Sequence, residues 1–254
     1  MKKIFIAGDS IMANYDITQY PMTGIGMALS LYIRNEIKIY NYAIGGRSTK
    51  SYIDQGFLKK IENEIGCNDF FFIKFGHNDE KINAKEHYTT PFGTYQENLK
   101  KMVAVAKQVG AIPVLMSSLE RRWFKDASNA WNDPSVDPRT PYMLIPSAHT
   151  DYAEAARQVA EEEGVGFIDL LAKSRDLLEK AGPVQTAGWY MNVGKGKYPA
   201  YPEGMLDNTH LNNLGAAVFA GLIAEGLREL GGIYEQLLTD RIREQNIITP
   251  IMEN

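Results

Sequence analysis

Three residue types that cooperate in ester hydrolysis occur in two segments far apart in the sequence. Gly8-Asp9-Ser10 follows the first apolar run of the chain, and Asp207-Asn208-Thr209-His210 lies far downstream. A serine hydroxyl becomes a nucleophile when a base takes its proton, and histidine is the usual base near neutral pH. A carboxylate then fixes the imidazole tautomer and stabilises the protonated ring. We therefore predict Ser10 as the nucleophile, His210 as the base and Asp207 as the orienting carboxylate.

The spacing of these residues supports the assignment of the base. Asp207 lies three residues before His210, so a single loop can fold the carboxylate back onto the ring. Of the other histidines, His87 and His149 lack comparable acidic and glycine-rich surroundings, and we interpret them as surface or capping residues. Taken alone, Asp9-Ser10 is more typical of a helix cap, because Asp and Ser are favoured there.

Two further segments could complete such a site. Gly45-Gly46 ends the second apolar run, and His77-Asn78-Asp79 follows the third. A glycine pair lets the backbone approach a ligand closely, and an asparagine amide can donate a hydrogen bond to a developing oxyanion. Each segment alone is more typical of an ordinary turn. Together with Ser10, however, they fall at the carboxyl ends of predicted parallel strands, where α/β sheets bind ligands.

The elements that must position these residues follow an alternating pattern. Apolar runs of strand length alternate with helical patterns, which predicts a parallel sheet covered by helices on both faces. The predicted strands are Ile4–Ala7, Ile37–Tyr42, Phe70–Phe75, Ile112–Met116 and Val165–Leu170. The helical patterns are a segment from Ile25 to Ile33, then Tyr95–Val109, Asp151–Glu163 and Asn213–Leu230. The expected fold class is α/β, with three α/β/α layers around a mostly parallel sheet.

Two stretches interrupt the alternation and are predicted to be long loops. Trp123–Pro146 is rich in Pro, Asp, Asn and aromatic residues, and Gly182–Gly204 is rich in Gly, Tyr and Lys. Long ordered loops are often functional, but each is equally compatible with a variable surface excursion. Their aromatic side chains could stack on sugar rings or simply anchor the loops: Trp123, Phe124, Trp131, Trp189, Tyr190, Tyr198 and Tyr201.

No linker or repeat divides the chain, so we expect a single domain over residues 1–254. The tail, Gly231–Asn254, has the pattern of an amphipathic helix, with apolar residues at Ile233, Leu237, Leu238 and Ile242. Such a helix could pack on its own domain or join two subunits into a homo-oligomer.

The composition excludes several classes of partner. The net charge of -4 and the lack of a Lys/Arg-rich run argue against nucleic acid as a partner. No apolar stretch approaches the roughly 18 residues of a membrane span. Met1-Lys2-Lys3 leads directly into the short apolar run of the first predicted strand. This N-terminal segment is too short for a signal peptide, so we expect a cytoplasmic protein. Cys67 is the only cysteine, and we expect its thiol to be buried.

In this order, the four segments resemble the conserved blocks of the SGNH or GDSL-type hydrolases. The Ser, Gly, Asn and His of those blocks match Ser10, Gly46, Asn78 and His210. The resemblance covers Lys2 to about Leu230 and is strongest to the rhamnogalacturonan acetylesterase branch, carbohydrate esterase family twelve. The segment Ser117–Phe124, with its paired arginines, also resembles a stretch of that branch, although it begins with Ser-Ser where Thr-Pro is usual.

The resemblance implies a five-stranded, flavodoxin-like sheet and acyl transfer through a covalent acetyl-serine that water hydrolyses. The backbone N–H groups of Ser10 and Gly46 and the side-chain amide of Asn78 would hold the oxyanion. Asp9 would hold the loop by accepting backbone hydrogen bonds. No metal and no organic cofactor is implied. The implied substrate is an acetylated carbohydrate, with acetylated pectic (rhamnogalacturonan) oligosaccharides as the first choice.

Three alternatives stay open from the sequence. An enzyme of the same superfamily could act on lipid esters or acyl thioesters, in which case long acyl chains would be preferred. A non-catalytic carbohydrate-binding module would bind acetylated oligosaccharide without turnover, although the joint presence of Ser10, Asp207 and His210 argues against it. An acetyltransferase would favour sugar hydroxyls over water as acceptors.

Overall fold

A computed structural model describes residues 2–125 and 143–240 of the chain. Its strands are β1 (Lys3–Gly8), β2 (Lys38–Asn41), β3 (Phe70–Lys74), β4 (Ile112–Met116), β5 (Phe124–Lys125), β6 (Met143–Leu144), β7 (Gly166–Ile168), β8 (Tyr190–Val193) and β9 (Met205–Leu211). Its helices are α1 (Ile25–Ala28), α2 (Thr49–Asp54), α3 (Phe57–Glu62), α4 (Gln96–Gln108), α5 (Thr150–Glu163), α6 (Leu170–Ala187), α7 (Asn213–Leu230) and α8 (Gly232–Glu235). Short 3₁₀ turns span Ile17–Gln19 and Leu29–Leu31, and a π turn spans Pro91–Tyr95.

The central sheet has five parallel strands in the order β2-β1-β3-β4-β7. This is the flavodoxin-like order, in which the direction of strand addition reverses between β1 and β3. The structure therefore confirms the predicted α/β fold class. The crevice at the carboxyl ends of β1 and β3 is the place where such a sheet binds its ligand.

Side-chain alternation along the strands builds two separate apolar cores. In β1, Ile4 and Ile6 face one core, whereas Phe5 and Ala7 face the other. The first core packs against α6 and α7, and the second packs against α4 and α5. Because both faces are covered, the inner strands β1, β3 and β4 are almost continuous buried runs rather than alternating ones. This packing makes the sheet edge a rigid support for the segments that follow its strands.

The Gly182–Gly204 stretch is not a long loop, and the corresponding prediction is wrong. Helix α6 continues to Ala187 through a bend at Gly182 and Pro183, and β8 pairs antiparallel with β9. Trp189 and Tyr190 are buried and contact Phe219 of α7, so they belong to the core and not to a sugar-binding edge.

The other predicted loop, Trp123–Pro146, includes the antiparallel strands β5 and β6. Phe124 is buried in it, whereas Trp123 is 48% exposed, and Trp131 lies outside the described residues. The expectation that the Cys67 thiol is buried is also wrong, because Cys67 is exposed at the turn before β3.

The described part of the tail packs on the preceding part of the chain. After α8, Leu237 and Leu238 are fully buried, and Leu238 forms a β-bridge with Ile33. Ile242 lies outside the described residues, and the pairing of two subunits through the tail stays a prediction. Within residues 2–125 and 143–240, no helix has the length and apolar character needed to span a membrane.

Candidate active site

Ser10 lies in a tight turn directly after β1, at the switch point of the sheet. Backbone hydrogen bonds close the turn, from Met12 N to Asp9 O (3.1 Å) and from Ala13 N to Ser10 O (3.3 Å). The Asp9 carboxylate accepts a further bond from Ile11 N at 3.0 Å. Because the next helical residues come only at Ile17, Ser10 does not cap a helix. The turn instead directs its side chain toward the cleft at the sheet edge.

The structure brings Ser10, His210 and Asp207 into one hydrogen-bonded row. His210 and Asp207 lie on β9, which is outside the parallel sheet. His210 Nε2 lies 3.0 Å from Ser10 Oγ, and His210 Nδ1 lies 2.6 Å from Asp207 Oδ2. A carboxylate beside Nδ1 favours a proton on that nitrogen, which leaves Nε2 able to accept the serine proton.

Asp207 is itself fixed by backbone donors. Its Oδ1 accepts hydrogen bonds from Thr209 N at 2.7 Å and from His210 N at 2.9 Å. Burial acts to raise the pKa of Asp207, but the hydrogen bonds from His210 and Thr209 outweigh it and hold that pKa below its usual value. The carboxylate is therefore charged over the range in which an imidazole base can work.

Gly46 and Asn78, the other predicted site residues, line the same cleft as Ser10. Gly46 has a φ of +74°, in the region that residues with a Cβ rarely adopt, so the turn after β2 requires glycine there. The Asn78 amide nitrogen donates to Arg47 O at 3.0 Å, and its oxygen accepts from Lys81 Nζ at 2.6 Å. These two contacts fix the amide orientation, and an amide carries a second N–H that can serve an oxyanion.

A buried ionic group lies directly beneath the serine turn. Lys74, at the end of β3, is fully buried, and its Nζ lies 3.1 Å from both carboxylate oxygens of Asp9. The same nitrogen lies 2.8 Å from His77 Nδ1. Sequence reasoning missed this group, although a lysine inside the apolar run Phe70–Phe75 was a usable signal. A buried lysine requires a buried partner.

The pKa values of this group follow from burial and charge. Burial acts to raise the pKa of Asp9, but Lys74 and His77 more than offset it, so that pKa lies well below its usual value. Burial lowers the pKa of Lys74 against the opposing charge of Asp9. Burial and the neighbouring Lys74 charge hold the pKa of His77 well below its usual value. Asp9 and Lys74 thus form an ion pair, and His77 is neutral.

A further set of side-chain contacts extends from His77 toward Arg121. The rings of His77 and His149 meet edge to face with centroids 4.3 Å apart, and His149 Nδ1 lies 2.8 Å from Glu80 Oε2. Glu80 Oε1 in turn lies 2.6 Å from the guanidinium of Arg121, which lines the cleft. His149 is fully buried, so its interpretation as a surface residue is wrong, although it does precede α5 as its N-cap residue.

The cleft has a volume of about 530 Å³, and its described lining contains no aliphatic Leu, Ile, Val or Met side chain. Tyr15 supplies the aromatic side chain of this lining and donates a hydrogen bond to Ser10 O at 3.0 Å. Among residues 2–125 and 143–240, no group of His, Cys, Asp and Glu side chains is arranged to hold a metal ion. This arrangement can transfer an acyl group from an ester to a serine and then to water.

The flavodoxin-like sheet, with a serine after β1 and an Asp-His pair near the chain's end, defines a hydrolase of the GDSL type. Residues 6–218 match the GDSL-like lipase/acylhydrolase family. The chain belongs to this family and is an enzyme of the carboxylic ester hydrolase class.

Individual relatives cover almost the whole chain. A rhamnogalacturonan acetylesterase of Bacillus subtilis (strain 168) is 32% identical over 250 residues, which are 97% of this chain and 100% of the relative. A rhamnogalacturonan acetylesterase of Emericella nidulans is 27% identical, over 93% of this chain and 89% of the relative. A solved acetylxylan esterase of Geobacillus stearothermophilus shares the fold, with a TM-score of 0.58 and 18% identity over 92% of this chain and 95% of that one.

Proposed function

We propose that this enzyme is a serine esterase that removes acetyl groups from carbohydrate. The observation that carries the proposal is the 3.0 Å contact between Ser10 Oγ and His210 Nε2 in a cleft whose described lining has no aliphatic side chain. The Asp207 carboxylate, 2.6 Å from the other ring nitrogen, supports the same division of roles.

In the first half of the reaction, Ser10 Oγ attacks the carbonyl carbon of the acetyl ester while its proton passes to His210 Nε2. The carbonyl oxygen becomes an oxyanion, held by the backbone N–H groups of Ser10 and Gly46 and by the Asn78 amide. The tetrahedral intermediate then breaks its bond to the sugar oxygen, which takes the proton from His210. The deacetylated sugar leaves, and the acetyl group remains on Ser10.

In the second half, water attacks the acetyl-serine carbonyl and gives a proton to His210. The same donors hold the second oxyanion, and its collapse releases acetate as the proton returns to Ser10 Oγ. Asp207 keeps its charge throughout and stabilises the imidazolium that forms in each half. Each oxyanion donor of this kind typically contributes about 2.7–4 kcal/mol to lowering the barrier.

The proposed substrate is an acetylated pectic oligosaccharide, of the rhamnogalacturonan type. This part of the proposal is supported by the relatives, which are named as acetylesterases of rhamnogalacturonan. Further tyrosines outside the described lining of the cleft are available to contact a sugar. Tyr20 and Tyr198 meet with ring centroids 5.7 Å apart, and Tyr201 donates to Gln19 O at 3.1 Å. Tyr20 is 45% exposed, and such faces suit sugar rings.

The role of Ser10 is tested by Ser10→Ala, with the exposed Ser30→Ala as a matched control. Removing the nucleophile of a serine hydrolase costs several orders of magnitude in kcat. We therefore expect Ser10→Ala to be folded, by circular dichroism, but inactive on an acetyl ester, and Ser30→Ala to be fully active. An active Ser10→Ala variant would refute the serine mechanism.

The acetyl preference is tested with a series of esters of increasing acyl length. Because aliphatic lining is absent from the described cleft, kcat/KM should fall steeply for acyl chains longer than acetyl. An extra methylene that fits would change the activation free energy by only about 1–3 kcal/mol. Equal or faster turnover of octanoyl esters would replace the carbohydrate proposal with the lipid or thioester alternative.

The sugar is tested by mass spectrometry of acetylated plant oligosaccharides incubated with the enzyme. Hydrolysis replaces an acetyl group of the sugar by a hydrogen and releases acetate, so the corresponding loss of mass should occur on pectic oligosaccharides and not on xylan fragments. Release of acetate from xylan fragments alone would show that the substrate is acetylated xylan and not a pectic oligosaccharide. Gain of acetyl groups by added sugars would instead indicate an acetyltransferase.

A further inference from the structure

The paired arginines of the Ser117–Phe124 segment have separate positions, and the proposed reaction uses neither of them. Arg121 lines the cleft, whereas Arg122 is fully buried. A fully buried guanidinium is costly unless its N–H groups are hydrogen-bonded, so the contacts of Arg122 indicate its role.

Arg122 joins the bend of α6 to strand β9. Its Nη1 donates to Asn208 Oδ1 at 2.8 Å, and its own backbone N donates to Asn208 O at 3.0 Å. On the other side, Nε donates to Thr186 Oγ1 at 3.0 Å and Nη2 donates to Pro183 O. The guanidinium therefore links two elements that are distant in sequence. Asn208 receives one hydrogen bond from the guanidinium and one from the backbone N of Arg122.

Asn208 lies at the point where the β8–β9 ladder is interrupted. Tyr190 pairs with Leu211 and the next residue, Met191, pairs with Asp207, so residues 208–210 have no partner on β8. His210 is in this unpaired segment. Its position relative to Ser10 is therefore not fixed by strand pairing and depends on other contacts.

Those other contacts act from two sides. On the cleft side, the Asp207 carboxylate accepts from the backbone of Thr209 and His210, which shapes the segment internally. On the buried side, Arg122 binds both the side chain and the backbone oxygen of Asn208, which is itself buried. The second set ties the segment, through Arg122, to helix α6.

We propose that Arg122 is a positioning residue, which holds the unpaired segment 208–210 so that His210 Nε2 stays within hydrogen-bond reach of Ser10 Oγ. It does not touch the substrate, and the proposal rests on the proposed roles of Ser10 and His210. Its contribution is geometric, since a misplacement of about 1 Å between reacting groups can lower a rate by about a hundredfold.

The test compares variants at the two ends of the Arg122 link. Asn208→Ala removes the acceptor on the catalytic segment, and Thr186→Val removes an acceptor on α6, so each deletes one hydrogen bond to the same guanidinium. Asn208→Asp restores an oxygen acceptor for Nη1. We would measure kcat and KM on an acetyl ester well below each melting temperature, and the rate at which a fluorophosphonate labels Ser10.

We expect Asn208→Ala to lower kcat and the labelling rate by about ten- to a hundredfold with little change in KM. Thr186→Val should lower the melting temperature but keep kcat within about threefold of wild type, and Asn208→Asp should recover most of the loss. Equal effects of Asn208→Ala and Thr186→Val on kcat would show that Arg122 is only a structural residue.

Failure of this inference is distinguishable from failure of the proposed function. If Ser10→Ala is inactive while Asn208→Ala has wild-type kcat, the serine mechanism stands and the role of Arg122 is refuted. If Ser10→Ala is as active as wild type, the proposed function itself is wrong.

Discussion

The buried ion pair of Lys74 and Asp9 gives the sharpest prediction for stability. Removing one partner of a buried pair typically costs about 3–5 kcal/mol, because the other charge is left buried without compensation. In Lys74→Met, the Asp9 carboxylate keeps the Ile11 N–H at 3.0 Å and has His77 Nδ1 at 3.6 Å. Because His77 can take up a proton and replace part of the lost charge, we expect the lower end of that range, about 3 kcal/mol.

The prediction is checked by thermal melting of a mutant cycle. For a chain of this size, 1 kcal/mol corresponds to roughly 2–4 °C, so Lys74→Met should melt about 6–12 °C below wild type. The double variant Asp9→Asn/Lys74→Met contains no buried charge at either position and should recover most of the loss. The control is Lys180→Met, which removes an exposed pair with Asp176 and should cost less than about 1 kcal/mol.

The pH dependence follows from His77. In the wild type its pKa is held below the usual value, so the unfolded chain binds more protons and stability decreases as the pH falls below about 6.5. In Lys74→Met the repelling ammonium is gone, and the pKa of His77 should rise beside Asp9. A higher folded-state pKa of His77 reduces the stability that the protein loses on acidification, relative to the wild type. The deficit of Lys74→Met should therefore be smaller at about pH 5.5 than at about pH 8.

Two results would refute this reasoning. If the double variant loses the sum of the two single losses, Asp9 and Lys74 are not coupled. If Lys74→Met costs no more than Lys180→Met, the lysine is not a buried charge in solution.

Three further changes test the site and its support. Asp207→Asn should lower kcat by about 10⁴-fold in an acetyl ester assay, because an amide at this position favours the wrong imidazole tautomer. Asn78→Ala should lower kcat by about 10²–10³-fold with a smaller change in KM, since its amide meets full charge only in the transition state. Gly215→Ala would place a Cβ 1.8 Å from Trp189 O and should cost at least about 1–3 kcal/mol in denaturant unfolding, whereas Gly194→Ala meets nothing within 4 Å and should be near neutral.

Those parts of the fold that depend on local periodicity could be predicted from the sequence. The five sheet strands are apolar runs bounded by turn residues, and helix α7 coincides with the predicted Asn213–Leu230. Ser10, Gly46 and Asn78 follow three of these strands, so a parallel sheet necessarily brings them to one edge. The proximity of Asp207 to His210 was predictable because the two residues are three positions apart.

The parts that depend on long-range contacts could not be predicted. The β8–β9 hairpin was missed because Tyr190–Val193 follows a Gly-Pro bend and carries no alternation, since all four residues are buried. Trp189 and Tyr190 suit a core as well as a sugar-binding edge, and only the packing of α7 decides between these roles. The pairing of Lys74 with Asp9 depends on the register of β1 and β3, which neither strand specifies alone.

The two halves of the candidate triad are held by different kinds of structure. Ser10 follows a central strand of the parallel sheet, with a hydrogen-bonded ladder on both sides of β1. His210 and Asp207 lie on a separate two-stranded hairpin whose ladder is interrupted beside them. The hairpin is tied to the Ser10 side by Thr23 N, which donates to Leu211 O at 2.9 Å. Arg122 ties it to α6. The Ser10–His210 distance is therefore set by a few contacts around β9, so substitutions there should alter kcat more readily than equally destabilising substitutions in the sheet core.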